Sequence, residues 1–131
     1  MDLAWWRVHG DEARSTFGGL LVSPQKVAGV QRDYGWLPAE KTNSGAMALV
    51  VAARMGARRI VMLGYDCQHT GGRTHWHGSH PAGLLDAASV NEWPAQFRAV
   101  LPRLAGVEVV NASRETALRV FPQQTLEEAL S

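Results

Sequence analysis

The chain has 131 residues, the length of one ordinary domain with enough material for a single core. Its 46% hydrophobic and 19% charged residues are globular proportions, and 13 Lys+Arg against 12 Asp+Glu leave +1, which excludes binding driven mainly by a nucleic-acid or anionic-membrane field. The single cysteine, Cys67, excludes an internal disulfide or a multi-cysteine zinc ribbon, and no apolar run approaches the length of a membrane span. With no secretory leader pattern at the start, a cytoplasmic domain is the expectation.

In chain order, residues 3–15 suit a helix with Trp5 and Trp6 partly buried, 20–22 a strand and 31–41 a loop. From Asn43 the pattern sharpens. Asn43 or Ser44 can cap a helix over 46–55, because a short side-chain oxygen accepts from the orphan N–H groups of the first turn. Gly56 supplies the left-handed residue that ends it. This helix is apolar around most of its circumference and is expected to be buried on more than one side. Ile60-Val61-Met62-Leu63 is a continuous apolar run, as in a strand covered on both faces. A polar stretch, 64–83, is too long for a minimal connector. Helical spacing returns over 90–104, with Pro94 suited to a first turn and Pro102 to a stop or bend. Gly106 precedes a second strand over 107–110. Thr125 and Glu128 stand at capping-box spacing before a short last helix. Alternating helices and strands predict an α/β domain with parallel pairing and right-handed crossovers. No repeat or linker divides the chain, so 1–131 reads as one domain, with an irregular or helical part over 1–41 and a helix-strand-helix-strand-helix core over 42–130.

In open α/β sheets ligands bind at the carboxyl ends of the strands, beside helix N-termini. Three segments are predicted to gather there: Thr42-Asn43-Ser44-Gly45, Gly64-Tyr65-Asp66 and Asn111-Ala112-Ser113. The helix start can face an anion, or Asn43-Ser44-Gly45 can be no more than a good cap. Asp66 can serve a ligand or close a turn through its own side chain. The histidines carry the stronger signal. His69, His75, His77 and His80 fall within twelve residues, leaving only His9 elsewhere. Histidine suits proton transfer near neutral pH and is a common metal ligand. One of them can act as general acid or base, or His75 and His77, with His69, Asp66 or His80, can hold a divalent metal, although no cofactor is required by the sequence. The bland alternative is a solvated loop whose imidazoles bond to backbone.

Thr42-Asn43-Ser44-Gly45, the apolar helix and the run from Gly56 to Asp66 resemble the second half of the bacterial lipooligosaccharide sialyltransferases. They are similar too to the wider superfamily that includes archaeal pterin pyrophosphokinase-like enzymes. The resemblance spans roughly two-thirds of the chain, 42–130. The whole sequence, with Asp2-Leu3-Ala4-Trp5-Trp6 and His75-Trp76-His77-Gly78-Ser79-His80, also looks like small proteins of tailed phages and prophages. The resemblance implies a small Rossmann-like three-layer fold with a mainly parallel sheet. It implies nucleotide or phosphate contacts from Asn43, Ser44, Gly45, Tyr65, Asp66, Asn111 and Ser113. By its His-x-x-Gly-His stretch it implies a general base at His80, or else His77. The expected activity is group transfer from a nucleotide or nucleotide sugar in a bacterial host's cytoplasm.

Those families begin with a strand and a Gly-rich turn that holds the phosphates, whereas here Gly18-Gly19 precedes the first predicted strand. This departure motivates a second expectation, an interaction or assembly protein that keeps the fold without the donor site and self-associates through an open sheet edge. A metal-dependent hydrolase built on the histidine loop is the third.

Overall fold

The computed structural model describes residues 3–23, 25–32, 42–73 and 89–131. In chain order the elements are α1 (Leu3–Thr16), β1 (Val22–Ser23), β2 (Gln31–Arg32), α2 (Ser44–Arg54), β3 (Arg59–Met62), α3 (Trp93–Val100), β4 (Glu108–Asn111) and α4 (Leu126–Leu130). The fold is mixed α/β. Its central pair is β3 and β4, which run parallel from Arg59 opposite Glu108 to Met62 opposite Asn111. A further parallel bridge joins Asn111 to Gln123 beyond β4, fixed by the Asn111 amide on the Pro122 carbonyl and the Gln124 amide on the Asn111 carbonyl.

Strand alternation sorts the side chains of this pair onto two faces. Ile60, Met62 and Val109 join the main core with α2, Phe97, Val100, Leu104, Leu118 and Phe121. Val61, Val110 and Ala112 turn the other way and meet Ala129 of α4. Both strand faces are therefore covered, as the uninterrupted apolar run over 60–63 predicts, except that Leu63 has left the strand and is exposed. The Asn43 carboxamide caps α2 by accepting from the Ala46 amide at 2.8 Å, and Gly56 follows the helix with φ +94°. α2 is not buried all round. Ala46, Met47, Leu49 and Val50 form one broad inner face, while Ala48 is exposed.

Elsewhere the elements depart from the sequence-based expectation. The helix predicted over 90–104 is three pieces: a 3₁₀ turn at Val90–Glu92, then α3, then a second 3₁₀ turn at Leu101–Leu104. Pro102 has no amide hydrogen for an α-helical bond, so the tighter turn takes over there. The strand over 20–22 is displaced to Val22–Ser23, and its partner β2 lies inside what reads as a loop. Two-residue strands give no periodicity to detect. α1 forms as expected, with Trp6 half-buried but Trp5 exposed. It is tied to the chain before β2 by Arg14, whose guanidinium donates to the Ala28 carbonyl at 3.1 Å. No helix is long and apolar enough to cross a membrane among the described residues.

Candidate functional site

At the carboxyl ends of β3 and β4 the chain continues into two polar turns, and these are laced together. Asn111 is fully buried at the last position of β4. Its Oδ1 accepts from the Ser113 amide at 3.0 Å, and its Nδ2 donates to Thr116 Oγ1 at 3.2 Å. Thr116 Oγ1 donates in turn to the Tyr65 carbonyl at 2.6 Å and accepts from the Leu118 amide at 2.9 Å. The Tyr65 amide donates to Ser113 Oγ at 2.7 Å, and the Ala117 amide to the Asp66 carbonyl at 2.8 Å. Every bond in this set crosses between, or fixes, the turns after the two strands. The two turns are therefore held to each other by a shared hydrogen-bond network.

The third predicted segment reaches the same end. Gly45, in the first turn of α2, lies under the Tyr65 ring. A β-carbon there would stand 2.7 Å from Tyr65 Cε1 and 3.2 Å from Phe97 Cζ, so the contact requires glycine. Tyr65 meets Phe97 edge to face at 5.8 Å between ring centres. Asn43 spends its remaining group on α3, donating from Nδ2 to Gln96 Oε1 at 3.0 Å. Ser44 is exposed at the first position of α2. Asn43, Gly45, Tyr65, Asp66, Asn111 and Ser113 are thus brought to one end of the sheet. The side chains of Asn111, Asn43, Ser113 and Tyr65 hold the fold there.

What opens to solvent at this end is a half-open cleft of about 370 Å³ lined by Leu63, Gly64, Asp66, Thr70, Arg114 and Glu115. This is at the small end of the range for small-molecule sites. Gly64 turns the chain at φ +73° with open space where a β-carbon would stand, so a ligand can approach the backbone. Asp66 is held by Thr70, whose hydroxyl donates to Oδ2 at 3.1 Å. Asp66 therefore closes a turn through its own side chain and also lines the cleft. Arg114 adds a cation, and with it come two carboxylates, Asp66 and Glu115. Such a wall can pair an anionic group with the guanidinium and accept hydrogen bonds from ligand hydroxyls. Thr70, Arg114, Glu115 and Thr116 escaped the sequence-based list. The available signal was position: each lies within eight residues of a strand end.

Cys67 turns away from this chemistry. It is buried with a left-handed backbone, φ +50°, and burial together with the Asp66 carboxylate pushes its thiol up to about 11. Burial, and then Cys67, raises the Tyr65 phenol above its ordinary value. Both groups stay protonated at neutral pH, so neither is an activated nucleophile or base. Of the histidines, His69 is exposed in the turn after β3, whereas His75, His77 and His80 lie outside the described residues. Among the described residues, no three His, Cys, Asp or Glu side chains form a group fit for a metal ion. No family model, curated protein or solved structure matches the chain.

Proposed function

We propose that this chain is a Rossmann-like domain that binds a nucleotide or nucleotide sugar in the cleft after β3 and β4. The supporting observation is the cleft itself, at the carboxyl ends of two parallel strands, with Arg114 beside Asp66 and Glu115. The Arg114 guanidinium pairs with the ligand's phosphate, and the carboxylates accept from sugar hydroxyls. Group transfer from that ligand is the proposed reaction, in a phage-encoded protein of the host cytoplasm. In it His80, or else His77, takes the proton of the acceptor hydroxyl as that oxygen bonds to the transferred group and the group's bond to the nucleotide breaks, the nucleotide leaving with its phosphate on Arg114; such a base is typically worth about 10²- to 10⁴-fold in rate.

Thermal-shift titration against nucleotides and nucleotide sugars tests the binding. A ligand at 100 times its Kd stabilises by about 2.7 kcal/mol, several degrees for a domain of this size. Arg114→Gln abolishes the shift if the cleft is the site. No shift from any ligand, with a folded protein, overturns the proposal. For the reaction, His80→Ala abolishes turnover and keeps nucleotide binding; equal turnover by both proteins refutes the assignment.

One observation favours the assembly-protein reading instead. The Tyr65 ring fills the space over Gly45, and the Asn43 side chain is committed to Ala46 and Gln96. The start of α2 is therefore occupied by the chain's own groups rather than left open for a phosphate. A folded chain that ignores every nucleotide and sediments as an oligomer is what this alternative requires.

A further inference from the structure

We infer that the opposite end of the sheet, where β3 and β4 begin, is a docking surface for an acidic protein segment that also carries apolar side chains. The topology collects the surface from two connections. α2 ends at Arg54 and passes through Met55 and Arg58 into β3, while the 3₁₀ turn Leu101–Leu104 packs on α2 and leads into β4. Arg54, Arg58, Arg59 and Arg103 therefore stand at one end of the parallel pair, and all four are exposed. Arg59 is matched, with Nε 3.3 Å from the Glu108 carboxylate across the first pair of the sheet. The side chains of Arg54, Arg58 and Arg103 have no ion-pair or hydrogen-bond partner among the described residues. Within 51–59 and 101–108, Glu108 is the one acidic residue.

Helix-dipole compensation explains a cation in the last turn of α2. It does not explain Arg58, which lies in the connection. Nor does it explain Met55, which is 63% exposed between Arg54 and Arg58, or Leu101 at 39% beside Arg103. Methionine and arginine together are the side chains enriched in protein interfaces, where an apolar centre is rimmed by charge. Phosphate backbones make no use of an apolar centre, and a chain of net charge +1 has no long-range field to gather nucleic acid. An acidic, partly apolar protein segment uses both halves of the surface.

The test is fluorescence anisotropy with a fluorescein-labelled peptide of repeated Glu-Glu-Leu, at low and high salt. The expected result is saturable binding that weakens with salt. Arg58→Glu with Arg103→Glu weakens it roughly tenfold or more. Arg58→Gln, a milder change in the connection, lowers affinity in the same direction with the fold intact by circular dichroism. Met55→Ser with Leu101→Ser also weakens binding, although no charge is altered. Arg114→Gln, at the far end, leaves peptide binding unchanged. Absence of binding overturns the inference, as does affinity indifferent to the arginine changes. Tighter binding of a DNA duplex by the same arginines overturns it in favour of nucleic acid.

Discussion

From α2 to α4 a core closes over Phe97, Met62, Leu118, Val50, Val100 and Val110, all fully buried, while Met55, Leu63, Leu101, Leu126 and Leu130 stay exposed at its margins. Along α1 and the segment after it, Leu3, Trp5, Val8, Phe17 and Leu20 are exposed, and among the described residues of 3–32 the buried ones are Gly10 and Ser23. Composition accounts for part of the difference, since α1 carries Arg7, Asp11, Glu12 and Arg14 where α2 carries only Arg54. The pairing available differs as well. β3 and β4 share four residue pairs in register and carry helices on both faces, whereas β1 and β2 share two. A short parallel pair contributes little by itself, so burial follows wherever a second element can be placed against the first.

The sharpest way to break this comparison is to remove one aromatic ring from each region. Phe97 is 1% exposed and stands between Tyr65 and Phe121, with ring centres 5.8 and 6.2 Å away. Phe97→Ala is expected to cost about 3–5 kcal/mol, enough to unfold a marginal domain. Phe17→Ala, at a site 56% exposed, is expected to stay within about 0.5 kcal/mol. Urea denaturation of the two variants checks both numbers. Similar losses from both sites would erase the distinction between the regions.

Asn111 tests whether the strand ends belong to the stable part. Asn111→Ala deprives the Ser113 amide of its acceptor and Thr116 of its donor, at an expected cost of about 1–3 kcal/mol. It also frees the turn that carries Arg114, so any cleft ligand is bound more weakly. Asn111→Asp restores the acceptor for Ser113 but not the donor for Thr116. It should fall between parent and alanine if the acceptor matters more. Denaturant midpoints for the three proteins give the order directly.

These residues also mark what the sequence made legible. The capped helix, the two buried strands and the last helix are written in local signals: Asn43 before an apolar run, Gly56 after it, and Thr125 three residues before Glu128. The gathering of Asn43, Gly45, Asp66, Asn111 and Ser113 at one end follows from alternating helices and strands. Beyond the Asn43 cap and the Asp66 turn, which of them serve the fold was not legible. That depends on contacts across more than forty residues of sequence, such as Tyr65 with Ser113 and Asn43 with Gln96. Arg114 and Thr70 could not be picked out for the same reason, since a cavity wall has no sequence period. β2 was missed and β1 misplaced because two residues are too few to alternate.

Gly45→Ala sharpens the boundary between cap and core. Alanine is the better helix former by about 0.8–1 kcal/mol, yet its methyl group would press on Tyr65 and Phe97. Overpacking of this kind costs about 1–3 kcal/mol, so the net loss is expected to be about 1 kcal/mol. Tyr65→Leu withdraws the ring and should relieve the penalty. A double-mutant cycle between the two positions reads the coupling, and additive losses would deny the contact.

The smallest effect lies at α4, and it depends on pH. Glu128 accepts from the Thr125 amide at 2.8 Å while its own amide donates to Thr125 Oγ1 at 3.2 Å. The backbone bond, then the side-chain bond, holds the carboxyl below its ordinary value. A carboxyl whose pKa is depressed by folding contributes stability above its unfolded value, and that contribution is lost as pH falls through the folded value. Thr125→Ala and Glu128→Gln should therefore each weaken α4 at neutral pH. The difference between Glu128→Gln and its parent should shrink as the solution is acidified below the usual carboxylate range. Amide exchange at Ala129, whose N–H bonds the Thr125 carbonyl at 3.0 Å, follows this locally. A gap between variant and parent that persists in acid would mean that Glu128 acts by packing and not by its charge. In that case α4 is held to the sheet by Ala129 against Val110 and Ala112, and the capping box adds nothing to the core it closes.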